Sequence, residues 1–396
     1  MNAKYPNLYL KSGREYSLAK GHPWVFSGAV GRAEGKPEAG DLVKAVAADG
    51  KPLGLGFYNP RTDIAFRLLT PDTTQVIDRS FWEKRLADAV ELRNRIVPPE
   101  TNAYRLINAE GDGLPGLIVD RYCDGLVLTI GTAGIEKVRA VILDILTRHL
   151  NPAWIYERSE GKSRRIEGLE DRIGCVCGSD VTAWVAVREN GLVFMVDPLR
   201  GQKTGFFLDQ RVNRERIRSI SKGLMVLNCF SYTGAFSVYA AAGGARQIIS
   251  VDISAEANDI GRRNLEQNGF SPAENPVEKA DVFTYLRDTE GFFDLIILDP
   301  PAFAKSKKDV QRAARGYKDI NLQAIRHLKD GGLLATFSCS NHIDSDLFQK
   351  IVQGAVADGG KTAQLLQVLG PGPDHPVNLA QPEGHYLKGF LLRITT

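Results

Sequence analysis

Asp294-Leu295-Ile296-Ile297-Leu298-Asp299-Pro300-Pro301 is the stretch on which the fold turns. Its apolar run shows no alternation, so it reads as a strand buried on both faces, the pattern of a parallel sheet. It stops at a carboxylate and two prolines. Further along, Leu333-Leu334-Ala335-Thr336-Phe337 repeats the pattern and stops at Ser338-Cys339-Ser340. In open α/β sheets ligands bind outside the carboxyl ends of the strands. If the two strands are neighbours, Asp299 and Cys339 face one pocket.

Working outward, strands and helices alternate from Leu192 to the end. Strands are expected at 225–228, 248–252, 295–299 and 333–338. Helices are expected after Thr233, over 255–268 and over 319–329. Such alternation means a doubly wound parallel sheet. Asn228-Cys229-Phe230-Ser231-Tyr232-Thr233-Gly234 follows the first strand as a tight loop. Thr233 is placed to cap the next helix, and Gly234 lets backbone approach a ligand closely. With a single Gly the loop is not the dinucleotide fingerprint, which disfavours a nicotinamide cofactor. Asp252 ends the second strand about twenty residues on, where an acid accepts hydrogen bonds from ribose hydroxyls. Ser254 then caps a helix that closes at Asn268-Gly269. Ala280-Asp281-Val282-Phe283 reads as the end of a third strand, with Asp281 and Val282 placed to meet an adenine ring. These features resemble the class I S-adenosylmethionine (SAM) methyltransferase fold, over 201–396.

A chain of 396 residues exceeds one ordinary core. Three domains are expected: a small β-barrel over 1–73, a central α/β domain over 74–190 and the SAM-binding α/β domain over 191–396. The first holds short apolar runs separated by turn residues. The second holds a helix over 79–95 stopped by Pro98-Pro99, and a hairpin turned by Glu110-Gly111-Asp112-Gly113-Leu114-Pro115-Gly116. A helix over 135–149 and a strand over 154–157 follow.

Composition narrows the class. Hydrophobic content of 43% and charged content of 24% are ordinary for a globular protein. No apolar run approaches a membrane span, and residues 1–9 hold no signal-like stretch, so a cytoplasmic location is expected. Five cysteines make no disulfide framework in a chain this long. Cys175 and Cys177 form a lone C-x-C where zinc usually needs four ligands, so no metal is expected. Residues 1–73 hold ten Lys+Arg against seven Asp+Glu, and 305–319 hold six against two. Lys11, Arg14, Lys20 and Trp24 in the first stretch, and Lys305, Lys307, Lys308 and Arg315 in the second, are the candidate RNA contacts.

Cys339 discriminates between chemistries. Carbon 5 of cytosine is not nucleophilic until a thiolate adds to carbon 6, and a thiol ionises near neutral pH and adds reversibly. Asp299 would hold cytosine nitrogen 3 and protonate it during attack. Amino-methyltransferases use a related Asn/Asp-Pro-Pro-aromatic loop; here Ala302 follows the prolines and Phe303 comes one later. Enzymes of the cytosine chemistry often carry a second cysteine beside this loop, where this chain has Pro301 and Ala302. Nitrogen methylation of an RNA base, a non-enzymatic RNA-binding protein and a protein methyltransferase stay open on the residues alone.

The chain also resembles, over nearly its full length, the bacterial large-subunit ribosomal RNA methyltransferase I family, which methylates carbon 5 of a cytosine. The segments that carry this are 18–26, 109–116, Lys203-Thr204-Gly205-Phe206-Phe207-Leu208-Asp209-Gln210-Arg211, 228–234, 315–321, Asp374-His375-Pro376-Val377 and 382–390. The resemblance implies an N-terminal PUA RNA-binding domain, a central α/β domain and a SAM domain. It implies SAM contacts from Lys203, Thr204, Phe206, Asp209, Gln210 and Arg211, from Asn228, Phe230, Ser231, Tyr232, Thr233 and Gly234, and from Asp252. It makes Cys339 the nucleophile and Asp299 its partner. The implied substrate is 23S ribosomal RNA or a large-subunit precursor, with a homodimer left open.

Overall fold

The computed structural model describes residues 5–178, 184–304 and 306–396. They divide into two compact units. The first comprises Met1–Val185, Val196–Phe206 and Pro373–Gly384; the second comprises Ala186–Met195, Phe207–Gly372 and His385–Thr396.

The first unit holds two sheets. One is six-stranded, in the order Trp24–Phe26, Ile64–Thr70, Pro52–Tyr58, Asp41–Val46, Asn7–Leu10, Val30–Ala33. Its inward residues Leu8, Leu10, Val25, Val43, Ala45 and Phe66 form one core. The other is five-stranded, ordered Arg172–Gly178, Trp154–Ser159, Gly125–Ile130, Leu117–Tyr122, Ala103–Asn108. Two helices pack on it, Arg79–Ile96 and Arg139–Leu150, through Phe81, Leu86, Ile142 and Ile145. The second begins later than its pattern suggests, because Val138 (φ −103°, ψ 8°) separates it from a short helix, Ala133–Lys137. Arg67 joins the two sheets with ion pairs to Glu110 (2.9 Å) and Glu167 (3.3 Å).

In the second unit Asn190-Gly191, at φ 51° and 81°, turns a two-stranded ribbon, since only such residues take left-handed backbone cheaply. The main sheet has seven strands: β1 (Met225–Cys229), β2 (Gln247–Asp252), β3 (Val277–Lys279), β4 (Phe293–Leu298), β5 (Leu328–Ser338), β6 (Thr362–Leu369) and β7 (Lys388–Thr395). Their order is β3-β2-β1-β4-β5-β7-β6. The first five are parallel, and β7 runs antiparallel to both its neighbours. Leu295 to Leu298 are fully buried, which is why β4 reads as an unbroken apolar run. The strand order reverses at β1, between β2 and β4. That is the topological switch point where such sheets bind ligands.

Three local expectations need correction. The helix expected over 319–329 spans Val310–Arg326, because Ala313, Tyr317, Ile320 and Ala324 share one buried face. Thr233 does not cap the helix after β1. Gly234 holds the N-cap position at φ 73°, and no side chain closes that end. Asp281 and Val282 do not end a strand. Asp281 caps the helix Val282–Asp288, accepting from the Thr284 amide at 3.0 Å, and Val282 lies in the core.

Candidate active site

The parallel strands β1, β2, β4 and β5 deliver their carboxyl ends to one edge of the sheet. The loop after β1 is the most constrained segment there. Phe230 (φ 58°), Tyr232 (φ 48°) and Gly234 (φ 73°) all take left-handed backbone within five residues. Two of these are bulky residues, so the strain is held by the surroundings, as at binding loops. Asp252 supplies one hold: its carboxylate accepts from the Tyr232 amide at 2.8 Å and the Ser254 amide at 2.9 Å. Asn264 supplies another, donating to the Thr233 carbonyl at 2.8 Å. A Cβ on Gly234 would stand 3.2 Å from the Gly261 Cα, so loop and helix touch through two glycines. Ser254 caps its helix as expected, accepting from Ala257 at 3.2 Å.

At the neighbouring ends of β4 and β5, register pairs Leu298 with Thr336. Asp299 is half-buried. The Cys339 thiol, also half-buried, donates to the Pro300 carbonyl across 3.9 Å. One residue on, the Ser340 hydroxyl accepts from the Ala304 amide at 3.3 Å and bonds the Tyr317 hydroxyl at 3.0 Å. The loop carrying Asp299 and the loop carrying Cys339 are therefore laced together. Burial pushes the Tyr317 hydroxyl pKa up, so it stays a neutral bridge.

The remaining expected contacts fall in several places. Asp209, Gln210 and Arg211 are almost fully buried. Asp209 accepts from the Tyr386 hydroxyl at 2.6 Å, and Gln210 from the Asn213 amide at 2.6 Å. Lys203, Thr204 and Phe206 belong to the first unit. Lys203 is exposed there, while Thr204 is buried, donating to Asp120 at 2.6 Å and bonding the Tyr122 hydroxyl at 2.9 Å. Lys11, Arg14 and Lys20 are exposed, as are Lys307, Lys308 and Arg315. Lys305 lies outside the described residues. Trp24 is half-buried with its indole N–H on Glu110 at 2.8 Å, so part of its surface serves the joint between the two sheets.

Comparison with known proteins gives this geometry a context. A family model described as S-adenosylmethionine-dependent methyltransferase matches residues 134–356, and one described as PUA-like domain matches residues 8–71. The ribosomal RNA large subunit methyltransferase I of Aeromonas salmonicida is 44% identical over 390 residues, 98% of each chain. The chain belongs to the ribosomal RNA large subunit methyltransferase I family. The family member from Shigella boydii is likewise 44% identical, over 98% of this chain and 99% of its own. Among solved structures, a SAM-dependent methyltransferase from Streptococcus mutans superposes with a TM-score of 0.84 at 24% identity, over 98% of this chain and 99% of that one. A further structure with the same score, described as a methyltransferase, is complexed with SAH, the demethylated form of the cofactor. The protein is thus a SAM-dependent family member, with an N-terminal PUA-like domain and a mixed α/β methyltransferase domain.

The residues at the switch point fit that cofactor. Asn228 Oδ1, Ser231 Oγ and Thr233 Oγ1 are buried with no hydrogen-bond partner among the described residues. Buried polar atoms are normally paired, and three so close together at the end of β1 and in the loop after it suit the polar groups of a bound ligand. Each Asp252 oxygen takes one backbone amide and keeps acceptor capacity for a further donor. Ile253 beside it is 67% exposed and leaves an apolar face open at this strand end. Sequence reasoning does not single out Ile253, although an exposed isoleucine at a strand end is itself a signal. Nor does it single out Ser340, Tyr317 or Lys388, whose roles depend on contacts between distant segments.

Proposed function

We propose that this protein methylates carbon 5 of a cytosine in 23S ribosomal RNA or a large-subunit precursor, with Cys339 as nucleophile and Asp299 as its partner. The observation that carries the reading is the Cys339 thiol on the Pro300 carbonyl, at the ends of adjacent parallel strands. The names of the family members support a ribosomal RNA substrate. The sugar and amino-acid ends of SAM are assigned to Asp252, Asn228 and the 230–234 loop, with Lys203, Thr204, Phe206, Asp209, Gln210 and Arg211 as the family contacts. When bound, SAM supplies a methyl group on a positively charged sulfur.

Nucleobase enzymes of this kind take the target base out of its stack. The Cys339 thiolate adds to carbon 6, forming a carbon–sulfur bond, while the Asp299 carboxyl gives its proton to nitrogen 3. The electron pair released into the ring makes carbon 5 the nucleophile that accepts the methyl. Solvent water takes the carbon 5 proton, the electron pair left behind forms the carbon 5–carbon 6 double bond and expels the thiolate, and Asp299 recovers its proton from nitrogen 3. Pro300 and Pro301 fix the backbone that aims Asp299. Lys11, Arg14, Lys20 and Trp24 in the PUA-like part, with Lys305, Lys307, Lys308 and Arg315, are the proposed RNA contacts.

The test is transfer from tritiated SAM to unmodified 23S RNA, followed by digestion to nucleosides. The reading requires label in 5-methylcytidine, absent with C339A. Label in a nitrogen-methylated base, retained in C339A, would replace it with the nitrogen chemistry.

A further inference from the structure

Lys388 is the first residue of β7, in register with Ser338 of β5. It is 6% exposed, a rare state for lysine. Its ammonium donates to the carbonyl of Ser340 at 2.8 Å, the one hydrogen bond it makes among the described residues. Ser340 is itself fully buried and is gripped through its hydroxyl by Tyr317 and Ala304. The residue after Cys339 is thus held from β7, from the helix Val310–Arg326 and from the Asp-Pro-Pro loop. A buried ammonium with one neutral acceptor is unfavourable unless a negative charge offsets it. Burial pushes the Lys388 pKa down to about 8, while Cys339 and Asp344 oppose that fall as the negative charges that act on it. Among the described residues, those two are the titratable groups whose charges act on the ammonium, and Tyr317 bonds the Ser340 hydroxyl next to it.

We propose that Lys388 is a positioning residue that keeps Cys339 ionised: its buried ammonium offsets the thiolate and, through the Ser340 carbonyl, fixes the loop that carries it. This rests on Cys339 being the nucleophile. The proton lost from Sγ is matched by one held on Nζ, so a neutral thiol–amine pair becomes a thiolate–ammonium pair without change of net charge. A nucleophile with a charged neighbour that lowers its pKa is a recurrent form of activation.

The test is the pH dependence of iodoacetamide alkylation at Cys339, read by peptide mass spectrometry on the full-length chain and on K388M. The expected result is a midpoint about one pH unit higher in K388M, hence alkylation about tenfold slower at pH 7. The rate at high pH, where the thiol is fully ionised in both, is retained. An unchanged midpoint overturns the proposal. So does a lower plateau at the same midpoint, because that marks altered access rather than altered charge. Lys388→Gln, read in the same way, serves if K388M does not fold. Alkylation needs neither RNA nor methyl transfer. It therefore fails independently of the cytosine-5 reading, which stands or falls on the labelled nucleoside.

Discussion

Two cysteines stand at the carboxyl edge of the same sheet. Cys229 is the last residue of β1, and Cys339 follows the last residue of β5. Cys229 is fully buried in the core with Leu227, Val251 and Ile296, and burial pushes its thiol pKa up. Cys339 is half-buried, lies on the Pro300 carbonyl and has the Lys388 ammonium as a charged neighbour. A strand-end position alone therefore does not set the surroundings of a thiol. The loop after β1 holds hydroxyls without a partner among the described residues and a strained backbone, the features on which its proposed cofactor contacts rest. The ends of β4 and β5 bring together a carboxylate, a thiol and a buried cation, the groups on which the proposed chemistry rests.

The sharpest way to break this comparison is to remove each thiol. C339A should lower methyl transfer by about 10⁴-fold or more, the scale of losing a covalent nucleophile. C229A should keep the activity and cost about 1 kcal/mol of stability through a small cavity. Equal losses of activity in the two variants, measured by label incorporation, would erase the distinction between the two ends.

Asp252→Ala acts on the binding end. It removes a charged acceptor from two backbone amides and from the proposed ribose contacts. SAM affinity measured by calorimetry should fall about 10–100-fold, the equivalent of one to two hydrogen bonds to a charged group. Alkylation of Cys339 should not change, since that residue sits at the other end. A smaller effect is expected from K307A/K308A. RNA affinity should weaken uniformly across sequences, and the salt dependence of binding should flatten by about one unit of slope for each phosphate left without its lysine. SAM affinity should stay the same.

The smallest effect is on stability, and its sign is definite. Lys388 titrates at about 8 in the folded chain against an ordinary lysine value of 10.5. Between those values the unfolded chain holds a proton that the folded chain has lost, so this residue makes stability rise with pH through that window. Below it both forms are charged and the folded state carries the whole burial cost. K388M should therefore melt higher than the parent at pH 7, and the gap should narrow above about pH 9. A lower melting temperature at pH 7 would mean the ammonium is a net stabiliser of the fold.

Much of this arrangement is legible in local sequence. β4 and β5 read correctly because both faces of each are buried, and their terminal residues follow from where the apolar runs stop. Asp252 and Ser254 are legible because a strand-end acid and a helix cap are local patterns. The failures are also local in origin. Asp281 looks like Asp252, yet it follows a three-residue strand and caps a helix instead. Thr233 looks like a cap, but the left-handed Gly234 takes that position. Lys388 is hidden for a different reason. Its acceptor is 48 residues away, and the contact exists only because β7 inserts between β5 and β6. A single lysine amid the apolar run Leu387 to Leu392 is the available signal.

In the proposed reaction Cys339 forms a covalent bond to the target base. RNA carrying 5-fluorocytidine tests it directly, because fluorine at carbon 5 blocks the proton loss that would release the thiolate. The expected result is a SAM-dependent complex that survives denaturation, with the crosslinked nucleotide on the Cys339 peptide by mass spectrometry. No trapped complex with RNA that is otherwise a good substrate, or a crosslink mapped to another residue, would contradict it.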